Sequence, residues 1–487
     1  MTDTHADPHH HRRWAILAIL GLAQLMVVLD ATIVNIALPS AQADLAFSDE
    51  NRQWIITSYA LAFGGLLLLG GRLSDLFGRK RMFITGLLGF AVASAVGGLA
   101  ESFGVLVAAR AGQGAFGALL APAALSLLTT TFTDPGERRT AFGVYGAIAG
   151  AGGGIGLLLG GVLTEYLSWR WCLYVNLFVA IPAAIAAMSL LHQQVPADKP
   201  KLDLAGTVTA TVGLVALVYG FAHAESDGWG DTVTLVMIFG GLGLLALFTW
   251  LQTRVAHPLL PMRVVLDRDR GGSYLAVGIA GAGMFGVFLF LTYYLQQTLG
   301  FSPIESGLAF LPMIGAVMVS STLATTKLLA RTGPRPLVPS GMLLAALAMM
   351  LLTGVGVDSS YASAVLPALL IAGTGFGLII APAMASATLG VDAGDAGIAS
   401  AMVNTTQQIG GSLGTALLST FAATAASDYL TSRPPSAEVA AAAAVEGYIA
   451  AFWWSAGIFL VGALVCGLLL RPGVQEVDPA AEPVLAH

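Results

Sequence analysis

Long apolar segments recur along the whole chain and limit its fold more than any other feature. Most reach the roughly 20 residues that an α-helix needs to cross a hydrocarbon core of about 30 Å. They do not alternate polar with apolar residues, as the strands of a membrane barrel do. The sequence therefore predicts an all-α membrane protein with fourteen spans. The predicted spans are 14–36, 53–71, 82–100, 104–131, 139–163, 170–191, 204–222, 232–251, 272–295, 306–327, 337–354, 362–388, 397–424 and 449–470.

Charged residues make up 10% of the chain, against about 25% in soluble domains. A protein surface with so few charges must be covered mostly by membrane lipids. The two cysteines, Cys172 and Cys466, fall near opposite faces of the membrane on this topology, so they cannot form a disulfide. We expect no metal site, no cofactor and no nucleic-acid partner. Nothing in the sequence indicates an obligate protein partner.

The basic residues predict the orientation, because cytoplasmic loops carry an excess of Lys and Arg. With the N-terminus in the cytoplasm, 18 of the 22 basic residues fall on the cytoplasmic side. Arg52, Arg170 and Arg433 fall outside, and Arg110 lies within a span. Because the span count is even, we expect both termini in the cytoplasm.

The spans form two similar blocks. Residues 14–191 hold spans 1–6 and residues 271–470 hold spans 9–14, while 192–270 joins them through two further spans. Residues 1–13 and 471–487 are the cytoplasmic tails. Two six-helix halves joined by a connector are typical of transporters built from repeats.

Two ionisable residues, Asp30 and Arg110, lie well inside spans. Each costs at least about 2.5–3.5 kcal/mol at mid-membrane, which favours a functional role. Both lie six residues from the outer end of their span, roughly 9 Å deep at a 1.5 Å rise per residue. We expect them to face each other, with Asp30 carrying a coupling proton. The alternative is a static ion pair that fixes helix packing.

Further polar residues within or beside spans are candidate substrate contacts. Any of them could instead bond to the backbone of a neighbouring helix. They are Asn35, Tyr59, Gln296, Gln297, Asn404 and Gln407.

Two inner loops carry opposite charge and suggest a contact between the halves. The loop after span 2 is basic and begins with Gly71, Asp75, Gly78 and Arg79. The loop between spans 12 and 13 has no basic residue but carries Asp392 and Asp395. We expect the two loops to meet as a conformational switch, the alternative being that both aspartates are simply solvated.

Span 5 is rich in glycine, with Gly152, Gly156, Gly160 and Gly161 among nine in a short stretch. Glycine lets membrane helices approach closely. We expect a flexing surface at the interface of the halves. The alternative is tight packing alone.

Several stretches match known motifs in order along the chain. The stretch 71–81 (GRLSDLFGRKR) resembles the loop signature of the major facilitator superfamily, and 29–39 (LDATIVNIALP) resembles the first-span motif of its fourteen-span drug:proton antiporters. Five further groups of residues resemble other motifs of that family. In the first half they are Leu106, Arg110, Gln113 and Gly114, then the span-5 glycines, then Trp169, Arg170, Trp171 and Asn176. In the second half they are Gln296 and Gln297 before Gly300, and Asn404, Gln407 and Gly410. In one place the chain departs from the family: Leu157 stands where the antiporter motif has proline.

The resemblance implies a major facilitator fold whose halves rock about a central cavity. It implies export of lipophilic drugs or antibiotics from the cytoplasm or inner leaflet across a bacterial inner membrane, driven by inward proton flow. The single acid within the spans favours neutral or cationic compounds among them. Asp30 would be protonated from outside, and Asp75 with Arg79 would latch the cytoplasmic side. A specific exporter of a metabolite, siderophore or amino acid is the alternative. A membrane-embedded enzyme is disfavoured, because it would need clustered His, Asp or Glu at one face of the membrane.

Overall fold

A computed structural model describes residues 12–132, 134–191, 203–389, 391 and 396–473. Asp392 and Asp395 lie outside these residues, and the side chain of Asp75 is not described either. The predicted contact between the two inner loops therefore stays a prediction.

The described chain contains fourteen long helices and no strand. Thirteen of them are long and apolar enough to cross a membrane by length and composition. The prediction of an all-α membrane protein with about fourteen spans is confirmed. The helices are α1 Arg13–Leu45, α2 Gln53–Phe77, α3 Arg79–Gly98, α4 Phe103–Thr131, α5 Pro135–Tyr166, α6 Trp171–Leu190, α7 Leu204–Asp227, α8 Thr232–Gln252, α9 Arg268–Thr298, α10 Pro303–Thr332, α11 Pro334–Leu352, α12 Tyr361–Thr388, α13 Ala396–Thr431 and α14 Ala437–Leu469.

Short polar side chains set where many of these helices begin. Their oxygens accept hydrogen bonds from backbone N–H groups of the first turn, which stabilises each helix by about 1 kcal/mol. These capping residues are Asp134, Asp203, Asp231, Asp267, Ser302 and Ser436. Between α2 and α3 the chain turns at Gly78, whose φ of +93° favours glycine.

The first six and last six helices pack in the same pattern. In the first half α1 contacts α4, α5 and α6, α2 contacts α4, and α3 contacts α4 and α6. In the second half the corresponding helices repeat each pair: α9 with α12, α13 and α14, α10 with α12, and α11 with α12 and α14. This repetition gives the two-half architecture a structural basis. The predicted residue boundaries of the domains are not tested by it.

The halves meet along α2 with α13 and along α5 with α10. Three hydrogen bonds join them at the end of the molecule that the sequence predicts to face outward. The Tyr293 hydroxyl donates to Gln42 (2.5 Å), the Gln296 amide donates to the Ile36 carbonyl (3.0 Å), and the Ile304 N–H donates to Glu165 (3.1 Å). The halves are therefore closed together at that end.

The linker helices α7 and α8 form a hairpin that lies along the junction of the halves. Helix α7 contacts both α2 and α13, and Leu61, Val218 and Ala416 pack into one buried cluster there. The Thr420 hydroxyl donates to the Phe221 carbonyl (2.9 Å), which ties α13 to α7. The two extra spans thus cover a seam between the halves, a position that the sequence alone did not indicate.

Candidate functional site

The two intramembrane charges contact each other. Arg110 on α4 donates to Asp30 Oδ2 on α1 at 2.6 Å, and both side chains are almost completely buried. The contact expected from their matched depths is therefore present. Its role in proton transfer stays a prediction at this point.

Three polar side chains complete the surroundings of Asp30. Its Oδ1 atom accepts hydrogen bonds from Gln113 (2.8 Å) and Asn176 (2.6 Å). The Ser94 hydroxyl accepts from the same two amides, at 2.7 and 3.3 Å. Together these hydrogen bonds link α1, α3, α4 and α6 inside the first half. We call Asp30, Ser94, Arg110, Gln113 and Asn176 the buried network.

Arg110 has partners besides the carboxylate. Its Nε atom donates to the Ile55 carbonyl (3.2 Å) and its Nη1 atom to Gln113 Oε1 (2.8 Å). The guanidinium also lies over the Tyr59 ring, 4.4 Å from its centroid, where a cation is attracted by the ring's π electrons. The arginine therefore keeps favourable contacts when Asp30 is neutral, which reduces the large cost of a lone buried charge.

The buried network also contains a hydrogen-bond acceptor that a protonated Asp30 could use. Asn176 Oδ1 is buried and has no hydrogen-bond partner among the described residues. A protonated Asp30 gains an O–H donor, and turning the Asn176 amide over would present Oδ1 to it. The same side chains can thus satisfy both charge states of the carboxyl group, as a proton carrier requires.

Glycines of α5 hold the Asp30 segment of α1 in place. A Cβ on Gly156 would lie 2.0 Å from Thr32 Oγ1 and 3.0 Å from the Leu29 carbonyl, so only glycine allows this approach. Gly152 approaches Val28 in the same way, and Gly160 approaches Ile33. The spacing of four residues places the three glycines on one helix face.

Gly152, Gly156 and Gly160 therefore pack inside the first half and not at the interface of the halves, and flexing of this helix stays a prediction. Gly161 does face the other half: a Cβ there would lie 2.7 Å from both the Ile304 Cα and the Pro303 carbonyl oxygen. Successive helical residues are about 100° apart, which turns Gly161 away from α1 and toward α10. Leu157, which replaces the motif proline, is buried, and its carbonyl approaches Gly307 of α10.

The six candidate substrate residues do not gather at one place. Asn35 is buried and donates to carbonyls of its own helix, at Ala31 and Thr32. Tyr59 packs under Arg110 inside the first half, and Gln296 contributes to the outer contact described above. The remaining three are more accessible: Gln297 and Asn404 are exposed, and Gln407 is half-buried. Substrate contact stays a prediction for each of the six.

The loop motif is only partly described. Gly71 packs near Pro122 of α4, and Gly78 forms the turn between α2 and α3. Arg79 is half-exposed. Its neighbour Arg72 donates to the Pro258 carbonyl (3.0 Å), which connects the motif to the stretch after α8.

Sequence reasoning did not predict Ser94, Gln113 and Asn176 as site residues. Gln113 follows Arg110 by three residues and so shares its helix face, a signal that was available. Asn176 and Ser94 lie on α6 and α3, and their meeting depends on how those helices rotate and pack.

Replacing Gln113 with Leu removes one partner from Asp30 and one from Arg110 while keeping a similar volume. Each unsatisfied buried group costs about 1–3 kcal/mol, so we expect at least a tenfold loss of export with the protein still in the membrane. Export per amount of membrane protein is the measurement. Gln24→Leu is the matched control, because Gln24 bonds to Tyr145 elsewhere in the same half. Equal export by wild type and Gln113→Leu would contradict a role for the network.

Two repeated six-helix halves with an ion pair buried inside one of them define a multi-pass membrane transporter. The family is shown by comparison: residues 20–415 match the Major Facilitator Superfamily. The chain belongs to that family.

Several relatives in sequence are antibiotic resistance and export proteins. The puromycin resistance protein pur8 of Streptomyces alboniger is 49% identical, over 96% of this chain and 93% of that protein. The cephamycin export protein CmcT of Amycolatopsis lactamdurans is 41% identical, over 83% of this chain and 84% of its own. The tetracenomycin C resistance and export protein of Streptomyces glaucescens is 33% identical, over 88% and 81%.

Solved structures share the fold at low sequence identity. An auto-inhibited peptide transporter of the POT family matches with a TM-score of 0.68 at 16% identity, covering 96% of this chain and 98% of that one. A bacterial homologue of the lysosomal transporter Spinster matches with a TM-score of 0.66 at 16% identity, covering 95% and 97%. These matches support the major facilitator fold.

Proposed function

We propose that this protein exports lipophilic antibiotics or drugs in exchange for protons, by alternating access. The observation that carries the proposal is the fully buried Asp30 carboxylate, paired with Arg110 inside the first half. The antibiotic-exporting relatives support the substrate class. No cofactor beyond the coupling proton is required.

A proton that binds Asp30 neutralises the carboxylate and weakens its bond to Arg110. The guanidinium then relies on the Ile55 carbonyl, Gln113 and Tyr59, all of which it already contacts. Asp30 sits on the α1 turn against which Gly156 packs, and α5 contacts α10 of the other half one turn further on. Movement of α1 on proton binding can therefore reach the interface of the halves through α5.

The driving force is sufficient for this exchange. One proton moving through 100 mV yields about 2.3 kcal/mol, and one pH unit adds about 1.4 kcal/mol. Together they support a gradient of several hundredfold for a neutral substrate at one proton per cycle.

A dedicated exporter of one endogenous compound is the second candidate. It is favoured by relatives whose names each specify a single compound, such as cephamycin or tetracenomycin C. Expression in an efflux-deficient bacterial host, followed by a panel of drug susceptibilities, separates the two. A multidrug exporter raises resistance to several unrelated lipophilic compounds, and a dedicated one raises few. If wild type and the empty vector are equal for every compound, including puromycin, the export proposal is wrong.

We further propose that the protein lies in a bacterial inner membrane with both termini in the cytoplasm. The excess of basic residues on one side of the spans supports this orientation. Under it, Asp30 and the Tyr293–Gln42 contact lie toward the outside.

The proposed contact between the inner loops gives a charge-exchange prediction. Asp392→Lys or Asp395→Lys should impair export by placing like charges together, and combining it with Arg79→Asp should partly restore export. Transport assays on the single and double variants provide the measurement. If the single reversals leave export unchanged, the two loops do not act as a switch.

A further inference from the structure

A narrow cleft lies inside the first half on the outer side of the buried network. It is bounded by α1, α2, α4 and α6, and Arg110 lies at its inner end. Its volume is about 10 Å³, which is room for about one water molecule. Apart from Arg110 its walls are predominantly apolar, with Val34, Leu106 and Cys172 among them.

The cleft follows α1 from the network toward the outer surface. Val34 and Ala41, both of which line it, lie one and three turns beyond Asp30. At a rise of 1.5 Å per residue, Ala41 lies about 16 Å from Asp30 along α1, so a volume of about 10 Å³ leaves most of that distance closed in this conformation. We call the part of the cleft lined by Val34, Leu38 and Ala41 the neck. Water there would lack the two to four polar partners it needs, so we expect the neck to be dry in this conformation.

Trp169 closes the outer end of the cleft. It is 6% exposed and lines the wall, and its indole N–H donates to Asp44 at 2.9 Å. Arg170 bonds to Asp44 (2.5 Å) and to the Ala100 carbonyl (2.8 Å), and its guanidinium lies 4.5 Å from the Trp169 ring. We call Asp44, Trp169 and Arg170 the outer lid.

We propose that this cleft is the path by which a proton from the outer side reaches Asp30, with the outer lid as its gate. The proposal rests on the proposed function above. In this conformation the outer contacts between the halves are made, so the central route from outside is closed at Gln42 and Tyr293. The cleft lies within one half and reaches Arg110, which contacts Asp30. Apolar constrictions gate by losing and regaining water, and a dry neck prevents a proton leak while the outer side is closed.

The lid is placed to respond to opening of the halves. Asp44 lies two residues after Gln42, which accepts the hydrogen bond from Tyr293 of the other half. Separation of the halves breaks that bond and frees the outer end of α1. The lid and the outer contact thus share one helix end, so the cleft opens when the protein faces outward.

Labelling of Cys172 tests access to the cleft without requiring transport. Cys172 lines the cleft, and Cys466 is a buried free cysteine in the other half. Purified protein in nanodiscs is treated with a small water-soluble methanethiosulfonate, and each site is followed by mass spectrometry. Trp169→Ala and Asp44→Asn should each speed labelling of Cys172 at least about tenfold and leave Cys466 unchanged. No change at Cys172, or an equal rise at Cys466, would overturn the lid.

Proton leak tests the neck itself. Val34→Thr makes the wall polar at almost constant volume, and Val287→Thr is the same change at a buried site in the other half. In proteoliposomes with an internal pH dye and no substrate, Val34→Thr should raise passive proton influx severalfold. The control should match wild type, and adding Asp30→Asn should remove the leak. Equal influx in wild type and Val34→Thr, with Cys172 unlabelled, rules out the cleft.

Different results would contradict the proton path through the cleft and the proposed proton-coupled export. If wild type exchanges substrate for protons while the lid and neck variants neither label nor leak, protons reach Asp30 by another path and the proposed function stands. If Cys172 labels as expected but wild type shows no substrate-dependent proton exchange, the cleft is a water path and the proposed function is wrong.

Discussion

Replacing Asp30 with Asn should abolish proton-driven export, reducing drug resistance in the host to the level of an empty vector. The substitution keeps the shape of the side chain but removes the group that gains and loses the proton. Asp30 accepts hydrogen bonds from Arg110, Gln113 and Asn176, and an amide cannot accept all three as a carboxylate does. Export into inverted membrane vesicles energised by respiration is the direct measurement.

A folding defect must be separated from loss of coupling. Removing one partner of a buried ion pair costs about 3–5 kcal/mol, because the other charge is left uncompensated. The double variant Asp30→Asn with Arg110→Gln removes that charge and should recover membrane abundance without recovering export. Asp428→Asn, an exposed acid near the end of α13, is the control for the chemical change. Wild-type export by Asp30→Asn would contradict the proton-carrier role.

Replacing Gly161 with Ala should hold the protein open on its outer side and slow export by at least about tenfold. The new Cβ would lie 2.7 Å from backbone atoms of Pro303 and Ile304 in the other half, and backbone cannot yield as a flexible side chain can. The halves can therefore not close to the same separation. The packing of α5 on α1, through Gly152, Gly156 and Gly160, is untouched.

Spin labels report this opening directly. Cysteines at the exposed positions Tyr166 and Leu308, in a background without Cys172 and Cys466, give a distance across the outer interface by pulsed electron resonance. We expect Gly161→Ala to shift the distribution to longer distances. Gly153→Ala is the matched control, because a Cβ there meets nothing within 4 Å. If Gly161→Ala gives the wild-type distribution, the Gly161 contact does not limit closure.

The sequence predicted the central ion pair because the depth of a residue in a membrane can be counted along its helix. Asp30 and Arg110 are equally far from the outer ends of their spans, and their opposite charges attract strongly inside the membrane. The direction in which a helix faces cannot be counted in this way. Asn176 and Ser94 reach Asp30 only because α6 and α3 pack with those faces inward.

The glycines of α5 show the same limit. Their number predicted close packing, which the structure confirms for Gly156 and Gly161. The helix that each glycine contacts depends on its angle around α5. Gly160 and Gly161 are adjacent in the chain, yet Gly160 packs on α1 and Gly161 packs on the other half. The position of α7 and α8 could likewise not be predicted, because nothing in their apolar sequence specifies contact with α2 and α13.

Substrate-induced proton release from purified protein tests the central claim most directly. Protein in weakly buffered detergent with a pH dye is mixed, at a series of starting pH values, with an exported compound found in the susceptibility panel. Wild type should release about one proton per bound substrate at Asp30, and Asp30→Asn should release none while still binding the compound. Equal proton release by both proteins would contradict the assignment of the coupling proton to Asp30.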